Sequence, residues 1–307
     1  MNKGFMKNTE VLMFNGELKK IQDIQIGDLV MSEDNGPLKV TNIKTDINEL
    51  YNVAHYYNDE NYIVNKDFEL SLTYIYKKSI IDHTTYYSIK WLDNDTLSEK
   101  FVKFSYNKKN KKKIYNSVNA YFENIKENRQ VNIKVCDFMN LSLNLQSKLH
   151  GIKSLITFYP KKTPINSYMI GNLEGINIYG MVDNNTISDI YKYNSTNIRF
   201  DYLAGVIDGY GYVQNDKYIL EIPEYNSYVK DLIFIIKSVL LNCTYKDGLL
   251  IIYGNKIVKI PTKNLKITSK LNKYSNKIQI DNYGIDTYYT LQFNKESKFI
   301  LGNCIVV

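Results

Sequence analysis

The chain has little of what most often builds metal and redox chemistry. Its 307 residues include three cysteines (Cys136, Cys243, Cys304) and three histidines (His55, His83, His150). The cysteines are far apart and form no C-x-x-C pair. That excludes a zinc ribbon or a disulfide framework and implies reduced thiols in an intracellular protein, cytoplasmic or nuclear. The histidines are scattered, so each reads first as an ordinary surface or core residue. No apolar run reaches the ~18 residues of a membrane span, and the N-terminus lacks the apolar core of a signal peptide. No membrane partner is expected.

What is present describes a globular chain. Hydrophobic residues make up 44% and charged residues 23%, too apolar for disorder. The length suits one large core or two ordinary domains. Thirty-nine basic residues against 32 acidic give +7, which permits a nucleic-acid partner without requiring one. The densest basic run is 108–113. It reads as a solvated loop or as a phosphate contact, which would add affinity but no sequence information.

The first hundred residues read as short strands separated by turns, a compact β unit. Strands are expected over 9–13, 19–24, 38–43, 49–54, 62–65 and 69–76. Asn15-Gly16 is a hairpin signal, because a type I′ turn needs positive φ twice. Helices are expected over 117–126 and 135–149 and a strand over 152–159, with Pro160 and Pro164 bracketing a linker. Phe200, Leu203, Ala204 and Ile207 fall at helical spacing. A hairpin over 212–223 turns at Asn215-Asp216. An amphipathic helix over 228–241 and a second hairpin, 249–253 with 256–260 around Gly254-Asn255, complete an α-β-β-α-β-β order over 199–265.

Two resemblances attach to this text. The stretch Phe5-Met6-Lys7-Asn8-Thr9-Glu10-Val11-Leu12-Met13, then Ile21 to Asp28, Tyr62-Ile63-Val64-Asn65 and Leu70-Ser71-Leu72, resembles the opening of the Hint fold of inteins and hedgehog autoprocessing domains. Tyr288 to Phe293 and Lys298 to Asn303 resemble its closing strands. Between them Leu203-Ala204-Gly205-Val206-Ile207-Asp208-Gly209-Tyr210-Gly211 resembles the LAGLIDADG motif of homing endonucleases. The implied fold class is α+β: an all-β Hint domain with an inserted LAGLIDADG-like αββαββ module. The implied divisions are 1–100 and 283–307 for the Hint domain, 101–164 for a connecting segment and 165–282 for the endonuclease-like part.

The resemblances also imply chemistry, and the residues depart from it. Inteins begin with Cys or Ser as nucleophile; here that position is Gly4. The His that protonates the leaving amide aligns with Phe68. The final acid of the LAGLIDADG motif holds the divalent metal, and here it is Tyr210, whose phenol is a poor Mg²⁺ ligand. Asp208 lies two residues earlier. Around Tyr168 to Gly175 a first motif is suggested, with Glu174 as its acid in a register one residue short. Asp208 and Glu174 are therefore the candidate catalytic and metal residues, with Mg²⁺ as cofactor if the chain is active. Fewer than 30 residues separate Glu174 from Leu203, too few for a first module, so a complete saddle would need a homodimer. Lys217, Lys246, Lys256 and Lys263 are the candidate DNA contacts. The expected function is an intein-derived, homing endonuclease-like protein that binds double-stranded DNA, with splicing and cleavage residues lost. The alternatives are an active Mg²⁺-dependent endonuclease and a non-catalytic structural protein.

Overall fold

The computed structural model describes residues 4–55, 60–93, 96–126, 128–177, 186–267 and 276–307. The chain opens with β1 (Phe5–Met6), β2 (Glu10–Leu12), β3 (Leu18–Lys20), β4 (Leu29–Met31), β5 (Pro37–His55), β6 (Glu60–Asn65) and β7 (Glu69–Tyr74). β2 and β3 form a hairpin across the Asn15-Gly16 turn, where Gly16 takes φ +99°. Apolar residues alternate along these strands and bury Val11, Val30, Leu38, Val53, Val64, Leu70 and Leu72 in one core.

A separate excursion leaves the end of β7. It comprises β8 (Ser79–Asp82), β9 (Tyr86–Asp93), β10 (Ser98–Ser105) and α1 (Lys111–Asn124). The three strands form an antiparallel sheet with β9 in the middle. Tyr87, Ile89, Phe104 and Val118 pack between the sheet and α1. The helix starts ahead of the expected residue 117 and takes Lys111, Lys112 and Lys113 into its first turn. Cations are unfavourable at that end of a helix, and Lys111 pairs with Asp82 at 2.8 Å.

The chain then returns through β11 (Gln130–Lys134), α2 (Val135–Met139), α3 (Leu143–Gln146) and β12 (Leu149–Gly151). β11 and β12 flank β7, and Val131, Ile133, Val135, Phe138, Leu145 and Leu149 join the first core. Much of the segment expected to be connecting is therefore built into the β-body. The single helix expected over 135–149 is two short ones, because Ser142 caps the second by accepting from Leu145 N. Residues 152–159 form no strand, although Lys153 bridges Ile305 as an isolated pair.

The rest of the insertion holds α4 (Ser167–Ile176), α5 (Asp189–Lys192), α6 (Thr196–Tyr210), β13 (Tyr212–Gln214), β14 (Lys217–Glu221), α7 (Ser227–Ser238), β15 (Asn242–Lys246) and β16 (Leu249–Tyr253). The sheet runs β13-β14-β16-β15. The second hairpin differs from expectation: it pairs β15 with β16 around Asp247-Gly248, both at positive φ (51° and 77°), as a type I′ turn requires. Residues 257–259 instead form a 3₁₀ turn. Residues 178–185, where strands of a first module would fall, lie outside the described residues, and the described residues between α4 and α6 hold only α5.

β17 (Ile278–Phe293) then pairs antiparallel with β5 from Ile278↔His55 to Phe293↔Val40, and with β1. The β-body thus resumes at 278, ahead of the expected 283. Phe299, Leu301, Ile305 and Val307 fill its core. The two bodies meet at a buried Glu60 carboxylate, 2.7 Å from Lys153 and 3.1 Å from Lys237 on α7. Arg199 on α6 is fully buried there and donates to Asn194 O, Ser238 Oγ and Ile156 O. No helix among the described residues is long and apolar enough to cross a membrane.

Candidate functional sites

Two places in the molecule correspond to the expected chemistry. The first is the helix pair α4/α6. Their backbones touch through glycine. A Cβ on Gly171 would lie 2.2 Å from Tyr202 O, and one on Gly205 would lie 2.1 Å from Tyr168 O. Gly175 meets Val206 O at 2.6 Å, and Gly209 meets Asn172 O at 2.6 Å. Each residue on α4 has its twin 34 positions later on α6: Gly171 with Gly205, Gly175 with Gly209, Tyr168 with Tyr202. The hydrogen bonds obey the same rule. Tyr168 donates to Asp208 across the interface at 2.9 Å, and Tyr202 donates to Glu174. The pair is a local pseudo-two-fold.

This symmetry sets the register that spacing alone left one residue short. Glu174 is the twin of Asp208, and Ile176 is the twin of Tyr210. Neither candidate carboxylate therefore stands at the end of its helix. Asp208 accepts from Lys263 N at 2.5 Å, Asn264 N and Leu265 N at 3.2 Å each, and from Tyr168. Four donors occupy the roughly four lone-pair sites of a carboxylate, so Asp208 ties the 263–265 loop to the end of α6. Glu174 is half-buried beside Tyr202 and Tyr228, and burial raises its pKa. No three His, Cys, Asp or Glu side chains converge among the described residues. These residues do not fit a divalent cation. α4 packs on the glycine face of α6.

The second place is the meeting point of the chain ends in the β-body. Gly4 N donates to Asn65 Oδ1 at 3.0 Å, and its carbonyl accepts from Asn65 N. Phe68 stands edge-on to Phe5 at 4.8 Å between ring centroids, and Phe299 does so at 5.5 Å. Val307 exchanges both backbone hydrogen bonds with Phe299. A cleft of about 360 Å³ opens here, lined by Phe5, Phe68, Leu291, Phe293 and Phe299, with no His or Cys in its lining. A Cβ on Gly4 would lie 1.8 Å from the buried Tyr288 ring. A side chain at position 4 has no room beside this ring.

The four candidate DNA lysines are not gathered. Lys217 and Lys246 lie on one face of the β13–β16 sheet but at opposite ends of it, with Glu221 paired to Leu249 beside Lys246. Lys256 sits in the loop after β16, where burial lowers its pKa. Lys263 lies over the Tyr168 ring at 3.8 Å. Residues 199–265 hold eight basic and seven acidic side chains, whereas 75–129 hold twelve basic and six acidic. The excess charge of the chain thus lies on the excursion between β7 and β11. The 108–113 run and the lysines of 77–103 carried that signal in the sequence.

Residues 4–307 match the family described as Hom_end-associated Hint. The chain belongs to that family. It is an intein-related protein with a Hint domain. Among solved structures it is similar to the gp41-1 intein at 17% identity, over 34% of this chain and 81% of that one, with a TM-score of 0.21. A substituted form of the same intein matches at 18% identity, 34% and 80% coverage and a TM-score of 0.20. Scores that low carry no argument beyond the family match. No curated protein matches the chain.

Proposed function

We propose that this Hom_end-associated Hint protein is an intein derivative that binds double-stranded DNA and neither splices nor cuts. The observation that carries the reading is the glycine-for-glycine packing of α4 on α6. That packing, followed by the β13-β14-α7-β15-β16 order, supports a LAGLIDADG-like module over roughly 165–282, its twin acids moved off the metal positions. Tyr210 and Ile176 stand where carboxylates would be required, and Asp208 is spent on the loop it ties down. The Hint part lacks a nucleophile at Gly4 and a proton donor at Phe68, so no acyl shift starts there.

Binding is electrostatic in this reading. Lys217, Lys246, Lys256 and Lys263 supply scattered phosphate contacts, and affinity falls steeply with salt. An electrophoretic shift on mixed duplex DNA across a salt series tests it. Salt-sensitive retardation without Mg²⁺- or Mn²⁺-dependent nicking is expected. Sequence-specific cutting abolished by Asp208→Asn, or no shift at low salt, overturns it.

A further inference from the structure

The excursion between β7 and β11 has a face turned away from α1, on which Leu92 joins the first core and Ser88 is buried while its neighbours are exposed. Its register puts Ser79, Lys90 and Phe101 in one row and Ile81, Ser88 and Lys103 in the next, on the side of the sheet away from α1. Phe101 is 49% exposed and Ile81 44% exposed, and Lys90 and Lys103 project beside them. Lys103 Nζ lies 4.9 Å from the centre of the Tyr86 ring and 5.5 Å from that of Phe101. His83 stacks on Tyr86 at 4.2 Å. Beyond Lys90 the face continues into a cleft of about 330 Å³ lined by Tyr76, Lys77, Ile81, Lys90 and Lys148. Tyr76 is 55% exposed there.

Aromatic rings alternating with lysines on an open sheet have a specific complement. Stacked bases in a duplex offer phosphates to lysine but no π face to a ring. Unstacked bases offer both. Lys77, Lys90 and Lys103 supply the charge, with Lys90 3.6 Å from Glu99, and Phe101 and Tyr76 supply the stacking surfaces. We infer that the outer face of β8–β10 is a binding site for single-stranded nucleic acid, with bases on Phe101 and Tyr76 and phosphates on Lys77, Lys90 and Lys103. This site is separate from the duplex surface proposed for the α4–β16 module.

The test is fluorescence anisotropy of the full chain with a labelled oligothymidylate of about 15 nucleotides, and with a duplex of the same length. Phe101→Ala with Tyr76→Ala is expected to weaken oligothymidylate binding about tenfold while leaving duplex binding within about twofold. Both side chains are exposed, and an unchanged thermal melt confirms the fold. Lys103→Gln, a single change outside any core, is expected to weaken the single strand about threefold and to flatten its salt dependence. Absence of oligothymidylate binding, an unchanged affinity in both variants, or equal losses on single strand and duplex overturns the inference. Duplex binding without single-strand binding overturns this inference and leaves the proposed function standing; the reverse result does the opposite.

Discussion

The β-body and the helix pair differ from the chemistry implied by the sequence resemblances in different physical ways. In the β-body the reactive crevice is filled: Phe68 packs among aromatic rings, and Tyr288 occupies the space a side chain at position 4 would need. In the helix pair the two backbones pack glycine against backbone, and the groups at its end are not the acids the sequence resemblance implies. A filled crevice resists repair by one substitution. An intact scaffold with displaced acids is closer to repair, because backbone positions remain where side chains do not.

The comparison breaks most visibly if the helix pair is loosened. Gly205→Ala places a methyl 2.1 Å from a backbone carbonyl that cannot rotate away. It is expected to cost about 3 kcal/mol, read as a lower urea midpoint. A similar melt for variant and parent would show that the helices do not touch as described. Next is Asp208→Asn, which replaces acceptor capacity by an amide donor facing three backbone N–H groups. A loss of about 2 kcal/mol is expected; a neutral effect would free Asp208 for another role.

On the β-body side, Gly4→Cys sharpens the contrast. Thiol treatment of an N-terminal fusion carrying it should release no segment, as followed by mass spectrometry. Release would mean that Tyr288 moves aside and that the crevice is still competent.

How much of this was legible in the sequence differs by region. The order of β strands and the motif helix were readable because alternation and a nine-residue motif are local signals. The second hairpin is ambiguous in the sequence, because Gly254-Asn255 and Asp247-Gly248 are both turn-formers and only strand pairing selects the latter. Residues 130–151 read as part of a connecting segment with one helix over 135–149, because their partner β7 lies more than fifty residues earlier and local pattern does not encode pairing at that range. The register of Glu174 was out of reach for the same reason: only the contact with α6 sets it.

A smaller effect concerns His55, buried near Glu60, Lys153 and His150. Burial lowers its pKa from 6.5 to about 4. The folded state therefore binds fewer protons than the unfolded state between those values, so stability falls as pH drops from about 6.5 towards 4. His55→Gln should flatten that part of a melting-temperature profile. The smallest effect is chemical. Burial pushes the thiols of Cys243 and Cys304 up to about 11 and about 12, while Cys136 is partly exposed. One fast-reacting thiol per native chain is expected with an aromatic disulfide reagent, and three after denaturation.

The central claim is that the α4/α6 pair keeps its packing without a metal centre. Electron paramagnetic resonance of Mn²⁺ titrated into the full chain, with a randomised duplex present, tests it most directly. The spectrum should match that of Mn²⁺ with the same duplex and no protein. A bound Mn²⁺ signal that disappears in Asp208→Asn, with the fold intact, would contradict the account.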